Sequence, residues 1–346
     1  MNITDPIFKE SDLTLCEVPV PKGYPQSQTH SGVVACNGRV YLTTSPYPQI
    51  RCGRMKSHIR ALILRLTKGE WPKIYGDNCE NPMLYWGDNG NDSPITFTPF
   101  KGNPFINIPP FLYGYPAFNS DPDIYQENDN LYVINREYIR NYPPDGDIGD
   151  VLTRIDMVMF RATDKGAEYV RSQILKEEHY SITSPCIAKY DGKYRLIYVD
   201  TQSYNEANAD CHLYYESSDD IEGIYSNKVE IEIESGDYVP WHLSVFQYEG
   251  RLYAVVACVY DGKPQRLYQM LGVFDEKLSI LNIYQRPLIS IPSYRGGAYV
   301  SEEGRFILYS TTDKYMMAGS KSVDGKDVVL ANIDFKTLLK EISDVK

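Results

Sequence analysis

The residues best equipped for chemistry in this chain sit in a few short polar stretches: His30, Asp121-Pro122-Asp123, Trp241-His242, and Arg295 ahead of Gly296-Gly297. Two carboxylates close together suit acid–base work, in which one carboxyl is protonated and the other ionised. A Trp beside a His offers a stacking platform and a polar partner for a sugar ring. An Arg followed by glycines can grip a carboxylate such as a uronic acid while backbone comes close to the ligand. Arg136 and Glu137 in Ile134-Asn-Arg-Glu137, Asp200 at the end of an apolar run, and Glu80 before Pro82 add charged groups at strand ends or loops. Each has a plainer reading too. Asp before Pro caps a loop, Trp fills a core, Arg pairs between neighbouring elements, and a strand-end acid meets solvent.

Other chemistries are poorly represented. The five histidines, His30, His58, His179, His212 and His242, lack His-Glu-x-x-His spacing, and the seven cysteines contain no Cys-x-x-Cys. No metal ligand set and no cofactor is therefore expected, although an oxygen-ligated Ca²⁺ in a channel leaves no trace in sequence. Phosphate loops, dinucleotide fingerprints and nucleophile elbows do not occur. The odd, scattered cysteines read as reduced and structural.

The elements that must position these residues repeat. The chain has 346 residues, with 30 Tyr against 11 Phe and 3 Trp. Five segments share an apolar strand, a tight turn and a second strand rich in Tyr, Leu, Ile and Val. Their turn anchors, Gly38, Asp129, Gly192, Gly250 and Gly304, lie 91, 63, 58 and 54 residues apart. Each reads as a β-hairpin, near 32–45, 121–135, 184–199, 242–258 and 296–310. Further strand pairs lie between, at 156–166, 213–220 and 271–277. A four-stranded unit recurring five times without a long helix predicts an all-β, five-bladed β-propeller as one domain over 1–346, with a β-sandwich as the rival. Residues 72–116, holding eight of the 22 prolines, read as a Pro-rich arm over one face. Asp327–Ile333 reads as a closing strand, and Phe335–Ile342 as a helix capped by Asp334.

In a propeller the innermost strands converge on the axis. Thr29–Val33, Asn119–Ile124, Ile182–Ile187, Val239–Ser244 and Tyr294–Tyr299 are those stretches, and they gather most of the candidate residues. Tyr41, Tyr132, Tyr194 and Tyr253 recur at equivalent hairpin positions and read as rings packed between blades with hydroxyls in solvent. Tyr47, Tyr113, Tyr115, Tyr125, Tyr294 and Tyr299 are left for ligand or partner contact.

The hairpins, Asn119-Ser-Asp-Pro-Asp123, Ser184-Pro185 and the Ser217-Ser-Asp-Asp220 turn together resemble the five-bladed propellers of glycoside hydrolase family 43 and their bacterial and phage relatives. The resemblance spans nearly the whole chain. It implies an inverting glycosidase with an Asp base, an Asp modulator and a Glu acid on the first three blades. Carried over, Asp123 matches the modulator, while His30 and Ser31 stand where the base belongs and Thr183 and Ser184 where the acid belongs. Asp121, Glu137 or Asp200 would then have to serve with Asp123, and His242, Trp241, Arg295, His30, Arg136 and Tyr299 would bind substrate. The alternative is a non-catalytic carbohydrate-binding or structural module, such as a phage virion component, with the arm making assembly contacts.

A net charge of −11 without basic runs argues against nucleic acid, and no apolar stretch is long enough to cross a bilayer. With no export signal at Met1, a cytoplasmic or virion location is expected.

Overall fold

The computed structural model describes residues 5–21, 28–46, 80–88, 93–106, 111–112, 115–140, 151–200, 211–260, 267–289, 291, 293–313 and 326–343. Almost everything described is antiparallel strand. After β1 (Thr14–Leu15), a first sheet runs β2 (Gln28–Cys36), β3 (Arg39–Pro46), β4 (Met83–Asp88) and β5 (Thr98–Pro99). A second contains β6 (Phe111–Leu112), β7 (Tyr115–Glu127), β8 (Asn130–Arg140), β9 (Val151–Thr163) and β10 (Gly166–Glu178). Then come β11 (Ile182–Tyr190), β12 (Lys193–Asp200), β13 (His212–Ser218) and β14 (Ser226–Glu234), followed by β15 (Tyr238–Tyr248), β16 (Arg251–Tyr260), β17 (Leu267–Phe274) and β18 (Ile280–Ile283). These two groups join through a short parallel pairing of β14 with β18. The last sheet holds β19 (Ser293–Val300), β20 (Arg305–Asp313) and β21 (Lys326–Asp334), with β1 added at its edge. A helix, α1 (Phe335–Ser343), follows, its first turn capped by Asp334 Oδ1 accepting from the Thr337 N–H at 2.8 Å.

Turn chemistry sets the hairpins. Asn37-Gly38, Asp191-Gly192 and Glu249-Gly250 are two-residue turns with both residues at positive φ, the geometry that suits the right-handed twist of paired strands. The first strands of the sheets touch in a cycle, β2 to β7, β7 to β11, β11 to β15, β15 to β19 and β19 back to β2. Apolar clusters fill each seam: Tyr41, Leu131 and Phe160 in one, Ile187, Leu196 and Tyr132 in the next. Pairing of Thr14 and Leu15 with Leu330 and Val329 lets the N-terminal segment complete the C-terminal sheet. The rings of Tyr41 and Tyr194 are buried between sheets, but their hydroxyls are not left to water: Tyr41 donates to Gly166 O at 2.8 Å and Tyr194 to Glu127 Oε2 at 2.6 Å, each crossing to the neighbouring sheet.

Part of the segment read as a Pro-rich arm is built into the first sheet instead. Met83-Leu-Tyr-Trp86 is a proline-free apolar run, so it pairs with β3, and Met83, Leu84 and Tyr85 are fully buried. Residues 72–79, 89–92, 107–110 and 113–114 of that segment lie outside the described residues.

Close approach at the axis explains the paired glycines. A Cβ on Gly297 would stand 2.9 Å from Gly32 Cα and 3.0 Å from Ser31 O, and one on Gly296 would stand 2.6 Å from Gln269 Oε1. The Gly296-Gly297 pair therefore admits neighbouring strands, where the sequence suggested room for a ligand. Gly297→Ala is expected to lower unfolding free energy by about 1–3 kcal/mol, read by urea denaturation, because the obstructing atoms are backbone.

A charged network lies between β8 and β9. Glu137 is opposite Arg154 and Asn135 is opposite Asp156. Arg154 spans Glu137 Oε1 at 3.6 Å and Glu177 Oε2 at 2.6 Å. Burial, reinforced by the charge of Glu137, pushes the Asp156 carboxyl up to about 7. The folded chain thus keeps a proton that the unfolded chain releases near pH 4, and stability falls as pH rises from about 4 to about 7, by at most ~1.4 kcal/mol per pH unit. Asp156→Asn removes that dependence and is expected to be more stable than the parent at pH 8. Parallel stability–pH curves for the two proteins would assign the titration elsewhere.

Candidate functional site

The innermost strands share one irregularity. The ladder of β2 with β3 slips between Thr29 and Gly32, that of β7 with β8 between Ser120 and Asp123, and that of β11 with β12 between Thr183 and Cys186. Within these bulges His30, Asp121 and Ser184 adopt φ of 57°, 54° and 51°, a conformation uncommon for residues other than glycine. Three equivalent positions are thereby aimed off the regular pleat. The corresponding slips of β15 and β19 fall at Trp241 and at Tyr294-Arg295.

Asp121 lies at the centre of the resulting cluster. It is fully buried, and its two oxygens have different duties. Oδ2 faces Arg136 Nε at 2.9 Å and accepts from the Ser184 N–H at 3.1 Å. Oδ1 stands 2.9 Å from His30 Nε2 and 3.9 Å from His242 Nδ1. His242 Nδ1 is 2.7 Å from Ser184 Oγ, which comes from the adjacent sheet. The Tyr294 ring packs against both imidazoles at 4.9 Å, and Trp241, half-buried, lies edge-on to His242 at 5.9 Å. Arg136 is anchored in turn, donating to Ser120 Oγ, Ile182 O and Thr183 Oγ1.

The electrostatics follow from burial and neighbours. Burial lowers both His30 and His242, outweighing the pull of Asp121, so both rings are neutral near pH 7. Burial also presses Asp121 upward, but Arg136 and the two imidazoles overcome it and hold the carboxyl well below the usual range. The result is one ionised carboxylate beside two neutral imidazoles, with ligand-capable atoms of all three residues within 4.8 Å of one another. The set comes from three separate sheets, which is why no local His or Cys spacing revealed it and no metal ligand was expected.

A serine-nucleophile arrangement does not fit. A catalytic His must bridge Ser and Asp through different ring nitrogens, whereas Ser184 and Asp121 both lie on the Nδ1 side of His242.

The other candidates fall into place around this group. Asp123, singled out by the family pattern, lies two residues past the strained position. Its carboxylate accepts from the Ile124 N–H at 2.9 Å and Ser244 Oγ at 3.0 Å and faces Arg295 at 3.3 Å. Burial outweighs these partners and pushes it up to about 6. Arg295 is fully buried and also donates to Leu243 O and Pro122 O, so it ties β19 to β15 and β7. Tyr299 packs in the apolar seam with Ile307 and Val33. Glu137 belongs to the β8–β9 network, and Asp200 pairs with Lys228 at 3.2 Å. Glu80 is half-buried at the start of the described segment 80–88. Ser184 and Tyr294 are the members that sequence reasoning undervalued. The parallel of Asp121-Pro122 with Ser184-Pro185 marks the equivalent position in two sheets and was the available signal for Ser184.

No protein-family model and no curated protein sequence matches the chain. Solved structures do. An N-acetylgalactosamine deacetylase from F. plautii, solved with blood group B trisaccharide, superposes with TM-score 0.63 at 14% identity, covering 95% of this chain and 94% of that one. A family 117 glycoside hydrolase from Zobellia galactanivorans gives TM-score 0.55 at 12% identity over 94% and 90%. The GH43_1 enzyme from Xanthomonas citri, complexed with xylotriose, gives 0.53 at 11% over 88% and 86%. The cycle of inner strands around a polar axis is thus a β-propeller fold like that of the family-43 glycoside hydrolases.

Proposed function

We propose that this chain is a five-bladed, carbohydrate-active hydrolase whose working groups are His30, Asp121 and His242, and that it removes an acyl substituent from a sugar. One observation carries the reading: the three strained, equivalent positions bear His30, Asp121 and Ser184, a single carboxylate. An inverting glycosidase needs two carboxyl groups, one protonated and one ionised, roughly 6.5–9.5 Å apart. The neighbouring buried acid, Asp123, is already engaged by Arg295, Ser244 and a backbone N–H.

Acyl transfer to water asks for something different. A water must be held and activated beside the acyl carbon; the sugar–acyl bond then breaks, the water's oxygen leaves in the carboxylate, and its proton goes to the released amine or hydroxyl. Two neutral imidazoles and one ionised oxygen converging on a point are suited to holding that water. The F. plautii neighbour, described as an N-acetylgalactosamine deacetylase, supports this choice of bond. Trp241 and Tyr294 supply ring surface for the sugar, and Arg136 keeps Asp121 ionised. Asp123 and Arg295 act as an axial lock.

Incubation with N-acetylated and O-acetylated oligosaccharides should release acetate without new reducing ends, and Asp121→Asn should lower the rate by at least ~100-fold. New reducing ends from xylo- or arabino-oligosaccharides, insensitive to Asp121→Asn, would return the chain to glycosidic cleavage. Glycan binding with no turnover would make it a recognition module.

A further inference from the structure

From the placement of His30, Asp121 and His242 we infer a binding site for one divalent transition-metal ion, held by two imidazoles and one carboxylate with open positions for water and a sugar-borne carbonyl. The inference deepens the proposed function, yet its own support is independent of any reaction.

The first support is a concentration of polar atoms without partners. His30 Nδ1 and Nε2, His242 Nε2 and Asp121 Oδ1 are all buried and complete no hydrogen bond. Each such atom costs about 1–3 kcal/mol when taken from water unpaired, so four at one spot call for a common partner. His30 Nε2 and Asp121 Oδ1 stand 2.9 Å apart. With metal–ligand bonds near 2.0–2.2 Å, ligands sit roughly 3–4 Å apart, and one ligand-capable atom of each of the three residues lies within 4.8 Å of the other two.

The second support is the outer shell. Imidazoles that bind metal use their other nitrogen to hold a neighbouring oxygen, which fixes tautomer and ring orientation. His242 meets Ser184 Oγ at 2.7 Å through Nδ1, and its Nε2 has no hydrogen-bond partner. Asp121 does the same with its oxygens. Oδ2 is taken by Arg136 and the Ser184 N–H, so Oδ1 is left for the ion.

Donor type selects the ion. Ca²⁺ favours six to eight oxygen ligands, whereas two imidazoles and one carboxylate suit Zn²⁺, Mn²⁺, Fe²⁺ or Co²⁺ with positions to spare. Such an ion would lower the pKa of a bound water and polarise a carbonyl, the chemistry that a site with one carboxylate otherwise lacks.

The test needs no substrate. The purified full chain is stripped with a chelator, dialysed, and titrated with Zn²⁺ and Co²⁺, with metal content measured by mass spectrometry and Co²⁺ by visible absorption. The expected result is one ion per chain with d–d bands of a low-coordinate nitrogen–oxygen site, and X-ray absorption of the Zn²⁺ form showing two imidazoles. His242→Ala and Asp121→Ala should each weaken binding by at least ~100-fold. Ser184→Ala should weaken it about tenfold and shift the Co²⁺ bands, the behaviour of a positioning residue. Glu178→Gln should leave it unchanged. If a variant fails to fold by circular dichroism, the imidazole count in the unaltered protein decides. No ion retained at micromolar metal, or absorption showing oxygen ligands alone, would overturn the inference. Metal bound without acetate release would defeat only the proposed reaction.

Discussion

A fully buried, ionised carboxylate is the constraint on which the centre of this molecule depends. Asp121 is removed from water entirely, and a charge so placed is tolerated only when its partners are held in good geometry. Those partners arrive from different sheets: Arg136 from the strand beside it, Ser184 from the next sheet, His30 from the one before, and His242 from across the axis. Arg136 then extends the network to Ile182 O and Thr183 Oγ1. A shift of any inner strand by one residue would leave the charge uncompensated. The cycle of strands places Asp121, and Asp121 in turn penalises every other register, an example of a polar network that specifies a unique core.

Two carboxylates only two residues apart meet opposite fates there. Burial presses both upward, and neighbours decide the outcome. Around Asp121 a guanidinium and two imidazoles prevail and keep it ionised; around Asp123 burial prevails over Arg295, a backbone N–H and Ser244, leaving it near 6. The bulge between Ser120 and Asp123 makes this possible by turning one side chain off the pleat that directs the other. Asp123 and Arg295 join β7, β15 and β19, and Gly32 packs so close that a Cβ there would stand 2.7 Å from Asp123 Oδ1. One acid of the pair thereby ties three strands together, and the other is the ionised centre of the axial cluster.

The propeller was readable because its signals are local. Asn37-Gly38, Asp191-Gly192 and Glu249-Gly250 encode tight turns through their own tolerance of positive φ, and the flanking strands follow. Asp334 encodes the start of α1 in the same way. The centre was only partly readable. His30, Asp121 and His242 could be named, since inner strands converge, but their mutual distances depend on bulges that have no residue signature: His, Asp and Ser are not turn formers of one kind. The role of Arg295 depended on which strands it would meet, and its reading as a ligand clamp assumed an open mouth where the structure has packed backbone. Glu137 illustrates a different limit. Its partner Arg154 lies on the opposite strand, so no sequence neighbour announces the ion pair.

The bulges also explain how one scaffold can carry different chemistry. His30, Asp121 and Ser184 differ in size, charge and hydrogen bonding, yet their φ values agree within a few degrees. Backbone shape at these positions is therefore set by the strand pairing and the surrounding ring, with little contribution from the side chain. A position whose geometry does not depend on its occupant can exchange that occupant without dismantling the fold. Overall shape persists at 10–14% identity among the solved neighbours, as expected when function resides in sites carried by a fold. The chemistry of this chain must accordingly be argued from the three occupants. Those occupants are an imidazole, a carboxylate and a hydroxyl, a single ionisable acid among three positions of one backbone shape.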